Sequence, residues 1–228
     1  MDMAAPIPTA MGPPPMICDA LTLAQWLSPS FPVGAFAYSH GLETAIQDKR
    51  IRTPKDLEDW LVDILLQGSG RNDCILLRMA YACDHPADLE HVDATARAFA
   101  PSAERLRETH LQGTAFSETV RAVWPGEQPD LCYPVAIGYA ARRMGLDLSL
   151  TAALYLQAVI GNLVSAAIRL VPLGQTDGQA ILAALTPLCR DIAAQTEGKT
   201  QDDMHSMAFL SDIAAMTHET LPHRIFRS

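Results

Sequence analysis

Apolar residues recur at helical spacing along nearly the whole chain. Leu23, Trp26 and Leu27 share one face of a short helix, with Asp19 as its expected cap. The stretch Ser28–Gly34 holds two prolines and a glycine, so it is expected to be irregular. A second helix is predicted from Tyr38 or Ser39 to Asp48, with Leu42 and Ile46 one turn apart. Thr53-Pro54 reads as a cap followed by proline at the first helical position, and Leu57, Trp60, Leu61, Ile64 and Leu65 continue the stripe. Gly68-Ser69-Gly70 interrupts it before Cys74–Ala82. Further helices are predicted over Asp88–Ala98, Ser102–Val123, Tyr133–Met144, Ser149–Val171, Asp177–Gln195 and Ser206–Glu219, with a kink expected at Pro187 and a stop at Pro222.

Strand signals are nearly missing: no alternating run is bounded by Asn-Gly or Asp-Gly, and Ala and Leu prevail over β-branched residues. The expected fold is therefore all-α, a single compact multi-helix domain of about nine or ten helices around one buried central helix. Residues 1–17 read as a proline-rich disordered leader, 18–221 as the domain, and 222–228 as a flexible tail. Thr196–Asp203 reads as a polar loop.

The central segment needs its own argument. Leu148 to Ile168 runs 21 residues without a charge, long enough to cross a bilayer. It also carries Ser149, Thr151, Gln157, Asn162 and Ser165, and no Lys/Arg asymmetry flanks it. An all-round apolar helix in a chain of 228 residues is expected at the centre of a helical domain.

Composition narrows the partners. The net charge is −9, with 17 Lys+Arg against 26 Asp+Glu, and no basic run occurs. Nucleic acid and anionic membranes are thus not expected as partners. Five widely spaced cysteines with no CxxC pair argue against a disulfide framework or zinc knuckle and suit a reducing cytoplasm.

Candidate chemistry is sparse. GxxxxGK[ST], GxGxxG after a strand, HExxH and GxSxG are all missing. Ser39 and His40 are adjacent, but neighbours on a helix point about 100° apart, so they make a poor nucleophile–base pair. A hydrolase built on them remains one alternative. The reading preferred for them is an N-cap at Ser39 and a surface or interface role for His40. His205, His218 and His223 offer a second alternative, a nickel-carrying protein, although no spacing fixes three ligands. Trp26, Trp60 and Trp124 are expected in the core; Met204, Met207 and Met216 are read as core gap-fillers, with an adaptable contact surface as the alternative.

Leu27–Glu43 stands apart. Its seventeen residues hold four prolines and glycines and three aromatics. Such a segment suits either a loop folded under the domain or an aromatic patch that docks another protein. Within it, QWLSPSFPVGAFAYSHGLE resembles the N-terminal signature of the urease accessory protein UreF family. The resemblance continues through ERLRETHLQG (Glu104–Gly113), YPVAIGYAARRMG (Tyr133–Gly145), YLQAVIGNLVSAAIRLVPLGQTDGQ (Tyr155–Gln179) and DIAAMTHETLPHRIFRS (Asp212–Ser228).

That resemblance implies an all-helical, dimeric, non-catalytic protein without a cofactor of its own. It further implies a complex with UreD (also called UreH) and the GTPase UreG on urease apoprotein, delivering nickel as UreG hydrolyses GTP. The family member is expected to bridge UreD and UreG and to modulate the GTPase step. Phe31, Pro32, Gly34, Phe36, Tyr38, Ser39, His40, Gly41 and Glu43 match the N-terminal signature and are expected at a partner contact, with Tyr38 as aromatic anchor. Arg224, Phe226 and Arg227 match the C-terminal ending, and His218 and Glu219 precede it. A seven-residue tail that begins at Pro222 buries little alone, so it is expected to be mobile when free and to order on binding a UreD-like protein.

Overall fold

The computed structural model describes residues 15–228. Among them are ten α-helices, two short 3-10 turns at Ala35–Ala37 and Gln201–Asp203, and no strand. The helices are α1 (Pro15–Trp26), α2 (Leu42–Gln47), α3 (Pro54–Gln67), α4 (Ser69–Ala82), α5 (Pro86–Ala98), α6 (Ala103–Val123), α7 (Tyr133–Met144), α8 (Leu148–Leu170), α9 (Gln175–Gln195) and α10 (Phe209–His218). The all-α expectation holds.

Capping sets most boundaries where the sequence places them. The Thr53 hydroxyl accepts from the Asp56 N–H at 3.2 Å, and the Asp56 carboxylate accepts from the Thr53 N–H at 2.9 Å. The side chains of Ser102 and Asp147 cap α6 and α8, accepting from the Arg105 and Leu150 N–H groups without a reciprocal bond. α9 runs unbroken through Pro187. Several expectations shift: α2 starts at Leu42 rather than Tyr38 or Ser39, and α4 already starts at Ser69 rather than after Gly70. Asp19 lies inside α1 rather than capping it, because the helix already starts at Pro15, and its carboxylate accepts from the Asp147 N–H at 3.1 Å. Pro15–Ile17 are therefore helical, while the rest of the expected leader lies outside the described residues. α10 begins at Phe209 rather than Ser206, since the preceding segment is tied to the body. The Met207 N–H donates to the Gln67 carbonyl at 2.9 Å, and the Asn72 amide donates to the His205 carbonyl at 2.7 Å.

The core is layered around α8, which packs against α1, α2, α3, α4, α7 and α9. Its buried residues include Tyr155, Leu156, Ile160 and Leu163, as the apolar run implies. α4 and α7 approach closely because Gly138 carries no side chain: a Cβ there would overlap the Leu77 carbonyl. Trp26 meets Phe116 edge-on at 5.3 Å and Trp124 at 5.6 Å, and Phe31 tilts against Phe116 at 5.5 Å. These contacts pull the irregular Ser28–Tyr38 segment onto the body. Thr196, read as the start of a polar loop, is buried, because its hydroxyl accepts from the Arg78 guanidinium at 3.2 Å.

Candidate partner-binding site

The two segments that carry the resemblance meet in space. Ser39 leads into α2 through two consecutive left-handed residues, His40 at φ 54° and Gly41 at φ 78°. Glycine is required at 41 for a second reason: a Cβ there would lie 2.5 Å from the Ala215 nitrogen and 2.8 Å from the Ala214 carbonyl carbon. The turn thus lets α10 lie directly on α2 and aims Ser39, His40 and Glu43 into the space between α2, α6 and the C-terminal segment.

Three charged layers fill that space. Glu43, buried, accepts from the Ile225 N–H at 2.7 Å and the Phe226 N–H at 2.9 Å. Its Oε2 is also 3.3 Å from His218 Nε2, while His218 Nδ1 lies 2.6 Å from Glu104 Oε2. Glu104 pairs in addition with the Arg224 guanidinium. One turn along α6, Glu108 pairs with Arg105, accepts from the Ser228 hydroxyl at 2.6 Å and contacts His40 Nε2 at 2.7 Å. Burial pushes the Glu108 carboxyl up, but the Arg105 charge and the hydrogen bonds from His40 and Arg105 outweigh it and hold it at about 2. Burial, and then the Arg105 charge, lower the pKa of His40. Its ring is therefore a neutral donor to Glu108, with Nδ1 unpartnered.

Backbone contacts close the unit. The Arg227 N–H donates to the Ala37 carbonyl at 2.8 Å, and the Ser39 N–H donates to the Ser228 carbonyl at 2.8 Å. From α8, the Arg169 guanidinium stacks over the Phe226 ring at 4.7 Å and donates to the Phe36 carbonyl at 3.0 Å. Asn162 donates to the Ala35 carbonyl at 2.9 Å. Glu219 receives the Ala103 N–H at 2.7 Å at the start of α6.

The structure therefore gathers the fourteen sequence-matched positions around one end of α2, except that Phe31 turns inward to Phe116. It divides them by exposure. Phe31, Tyr38, Ser39, His40, Gly41, Glu43, His218 and Phe226 are buried, whereas Pro32, Phe36, Glu219, Arg224 and Arg227 face solvent, and Gly34 is intermediate. His40 is thus not a surface residue of the chain. Tyr38, the expected aromatic anchor, is 4% exposed; the aromatic that this segment presents to solvent is Phe36, at 69%. The seven-residue tail also buries more than its length suggested, with Phe226 and Ser228 inside, because Glu43, Ser39 and Ala37 supply partners for its backbone.

Glu104, Arg105 and Glu108 are site residues that sequence reasoning did not single out. Their only signal was the Glu-x-x-x-Glu spacing with an intervening Arg inside ERLRETHLQG, which on a helix puts both carboxylates on one face. The remaining candidates do not assemble. Ser39 Oγ donates to the Ser228 carbonyl at 2.5 Å, away from the His40 ring. His205 contacts Arg71, His218 is enclosed by carboxylates and His223 is exposed. Among the described residues no group of three His, Cys, Asp or Glu side chains is placed to hold a metal ion.

Beside the charged cluster, α10 is turned outward. Phe209, Leu210, Ile213 and Met216 are each more than half exposed, as is Met207 just before it, while Ala214, Ala215 and His218 face the body. Of the three methionines expected in the core, Met204 is buried and Met207 and Met216 are not. On the C-terminal segment Ile225 is also 67% exposed.

Comparison with known proteins agrees with the residue-level resemblance. A family model described as UreF matches residues 51–186. The urease accessory protein UreF of Roseobacter denitrificans is 54% identical over 214 residues, covering 93% of this chain and 96% of that protein. The UreF of Ruegeria pomeroyi is 49% identical, covering 91% and 96%, and that of Cereibacter sphaeroides strain KD131 is 51% identical, covering 93% and 100%. The chain belongs to the UreF family of urease accessory proteins, and its work lies in the maturation of urease.

Proposed function

We propose that the chain is a non-catalytic scaffold that bridges a UreD (UreH)-type protein and a UreG-type GTPase on urease apoprotein. In that complex it modulates the GTPase step that accompanies nickel insertion, and it acts as a homodimer in the cytoplasm. The observation that carries this reading is the outward apolar face of α10, followed in the chain by a C-terminal segment that exposes Arg224, Ile225 and Arg227. An exposed apolar helix face suits a protein partner, and the exposed Arg227 guanidinium can pair bidentately with a partner carboxylate. The buried signature residues serve this surface from within. Glu43, Ser39 and Gly41 hold α10 and the tail in place, and Tyr38 and Phe31 anchor the segment that carries Phe36.

The direct test is reconstitution with the UreD-type and UreG-type proteins of the same organism. The scaffold reading expects one ternary complex by size-exclusion chromatography, no stable UreD–UreG pair without this chain, and a GTP hydrolysis rate that changes on its addition. A UreD–UreG complex that forms equally well without it, with unchanged GTP hydrolysis, contradicts the reading.

A further inference from the structure

We propose that the small cavity beneath the start of α10 is a built hydration site, in which one internal water donates to His40 Nδ1 and joins α10 to α4 and α6. The inference goes beyond the scaffold reading, since it concerns the chain alone and is measured without partners.

His40 supplies the demand. It is 8% exposed, its Nε2 lies 2.7 Å from Glu108, and its Nδ1 is buried without a protein partner. An ionised carboxylate only accepts, so the single N–H of the neutral ring sits on Nε2 and Nδ1 carries a lone pair. Buried acceptors of this kind take a donor, from the protein or from ordered water. His40 also lines the cavity, together with Ser69, Arg105, Ser211, Asp212 and Ala215. The cavity holds about 10 Å³, close to the room one water needs. It exists because α10 contributes only short side chains there, and because α4 opens at Gly68-Ser69 with no side chain capping its first N–H groups. A neighbouring cavity of about 40 Å³ shares Ser69, Arg105 and Asp212 with it and gives the water a path for exchange.

Charge decides the occupant. A halide has no hydrogen to give Nδ1 and would meet the Asp212 carboxylate in the same small space. A metal ion would meet the Arg105 guanidinium, and among the described residues no group of three His, Cys, Asp or Glu side chains is placed to hold one. Water meets both requirements, since it donates to a lone pair and accepts from a cation. Around it stand groups with capacity to spare. Arg105 has five N–H donors, of which Glu108 engages the Nη1 end, and Asp212 has two oxygens, of which one receives the Ser206 hydroxyl. The inner side of α10 is thus seated partly on water at its first turn, while Ala214 and His218 pack farther along.

The test uses the full wild-type chain free of partners. Crystals that diffract well enough to order internal water are measured before and after a bromide soak, and the ring-nitrogen and water–protein NOE spectra are recorded in solution. The hydration site predicts one peak that refines as water within about 3.2 Å of His40 Nδ1, with no anomalous bromide signal at that place. In solution it predicts a neutral His40 ring with its proton on Nε2, and NOEs from a long-lived water to the Ala215 methyl group. An empty cavity, a bromide or metal peak in the water's place, a proton on Nδ1, or the loss of any water NOE at Ala215 overturns the proposal. Because no substitution is required, a variant that fails to fold cannot obscure the result.

Discussion

Asp73 on α4 shows how a half-buried carboxylate is placed at some cost to stability. Its carboxylate accepts from the Tyr155 hydroxyl at 2.8 Å, yet burial raises its pKa from the usual 3.8 to about 6, with the Arg105 charge opposing the shift only in part. The fold therefore disfavours ionised Asp73, and the penalty grows as pH climbs from 3.8 to about 6 and then stays constant. Asp73→Asn keeps an acceptor for Tyr155 and removes that penalty. The variant is expected to be more stable than wild type by about 2 kcal/mol at neutral pH, with the advantage vanishing below about pH 4. Urea unfolding of both proteins across pH checks this; equal stability at neutral pH contradicts it. At this scale legibility is uneven. Ser39, His40, Gly41 and Glu43 were readable because they form one continuous motif. Glu104 and Glu108 were not, because their partners His218, Arg224, His40 and Ser228 lie at least 68 residues away, and no local spacing encodes such pairings.

At the scale of elements, periodicity and capping residues placed α3, α6, α7, α8 and α9 to within a few positions, since their apolar stripes and caps are local signals. Failures occurred where tertiary contacts override local preference. α10 starts late because Gln67 and Asn72 hold the chain before it extended, and α1 starts early enough to put Asp19 in its interior. α10 also inverts the usual pattern, with small residues inward and large apolar ones outward. If that face is a docking surface, Phe209→Ala combined with Ile213→Ala should leave unfolding stability within about 0.5 kcal/mol, as truncation of exposed side chains normally does. The same change should abolish co-purification of the UreD-type protein. Intact co-purification, or a large stability loss, would show that the face serves the fold rather than a partner.

A net charge of −9 and no phosphate-cradling loop describe a chain whose distinctive feature is an ordered contact unit. The long apolar α8 supports that unit from below through Asn162 and Arg169, so the helix that resembles a membrane span by length also positions the Phe36 loop and the tail. The fold class was legible because helical periodicity pervades the sequence. The coming together of the Ser39–Glu43 motif with the last residues was not, because it depends on a left-handed turn at His40-Gly41 that no composition reveals.

The most direct measurement is the nickel content and specific activity of urease purified from the native host with this gene deleted. A maturation role predicts intact urease protein that is low in nickel and inactive, restored by the wild-type gene. Fully metallated, active urease from the deletion strain would contradict it.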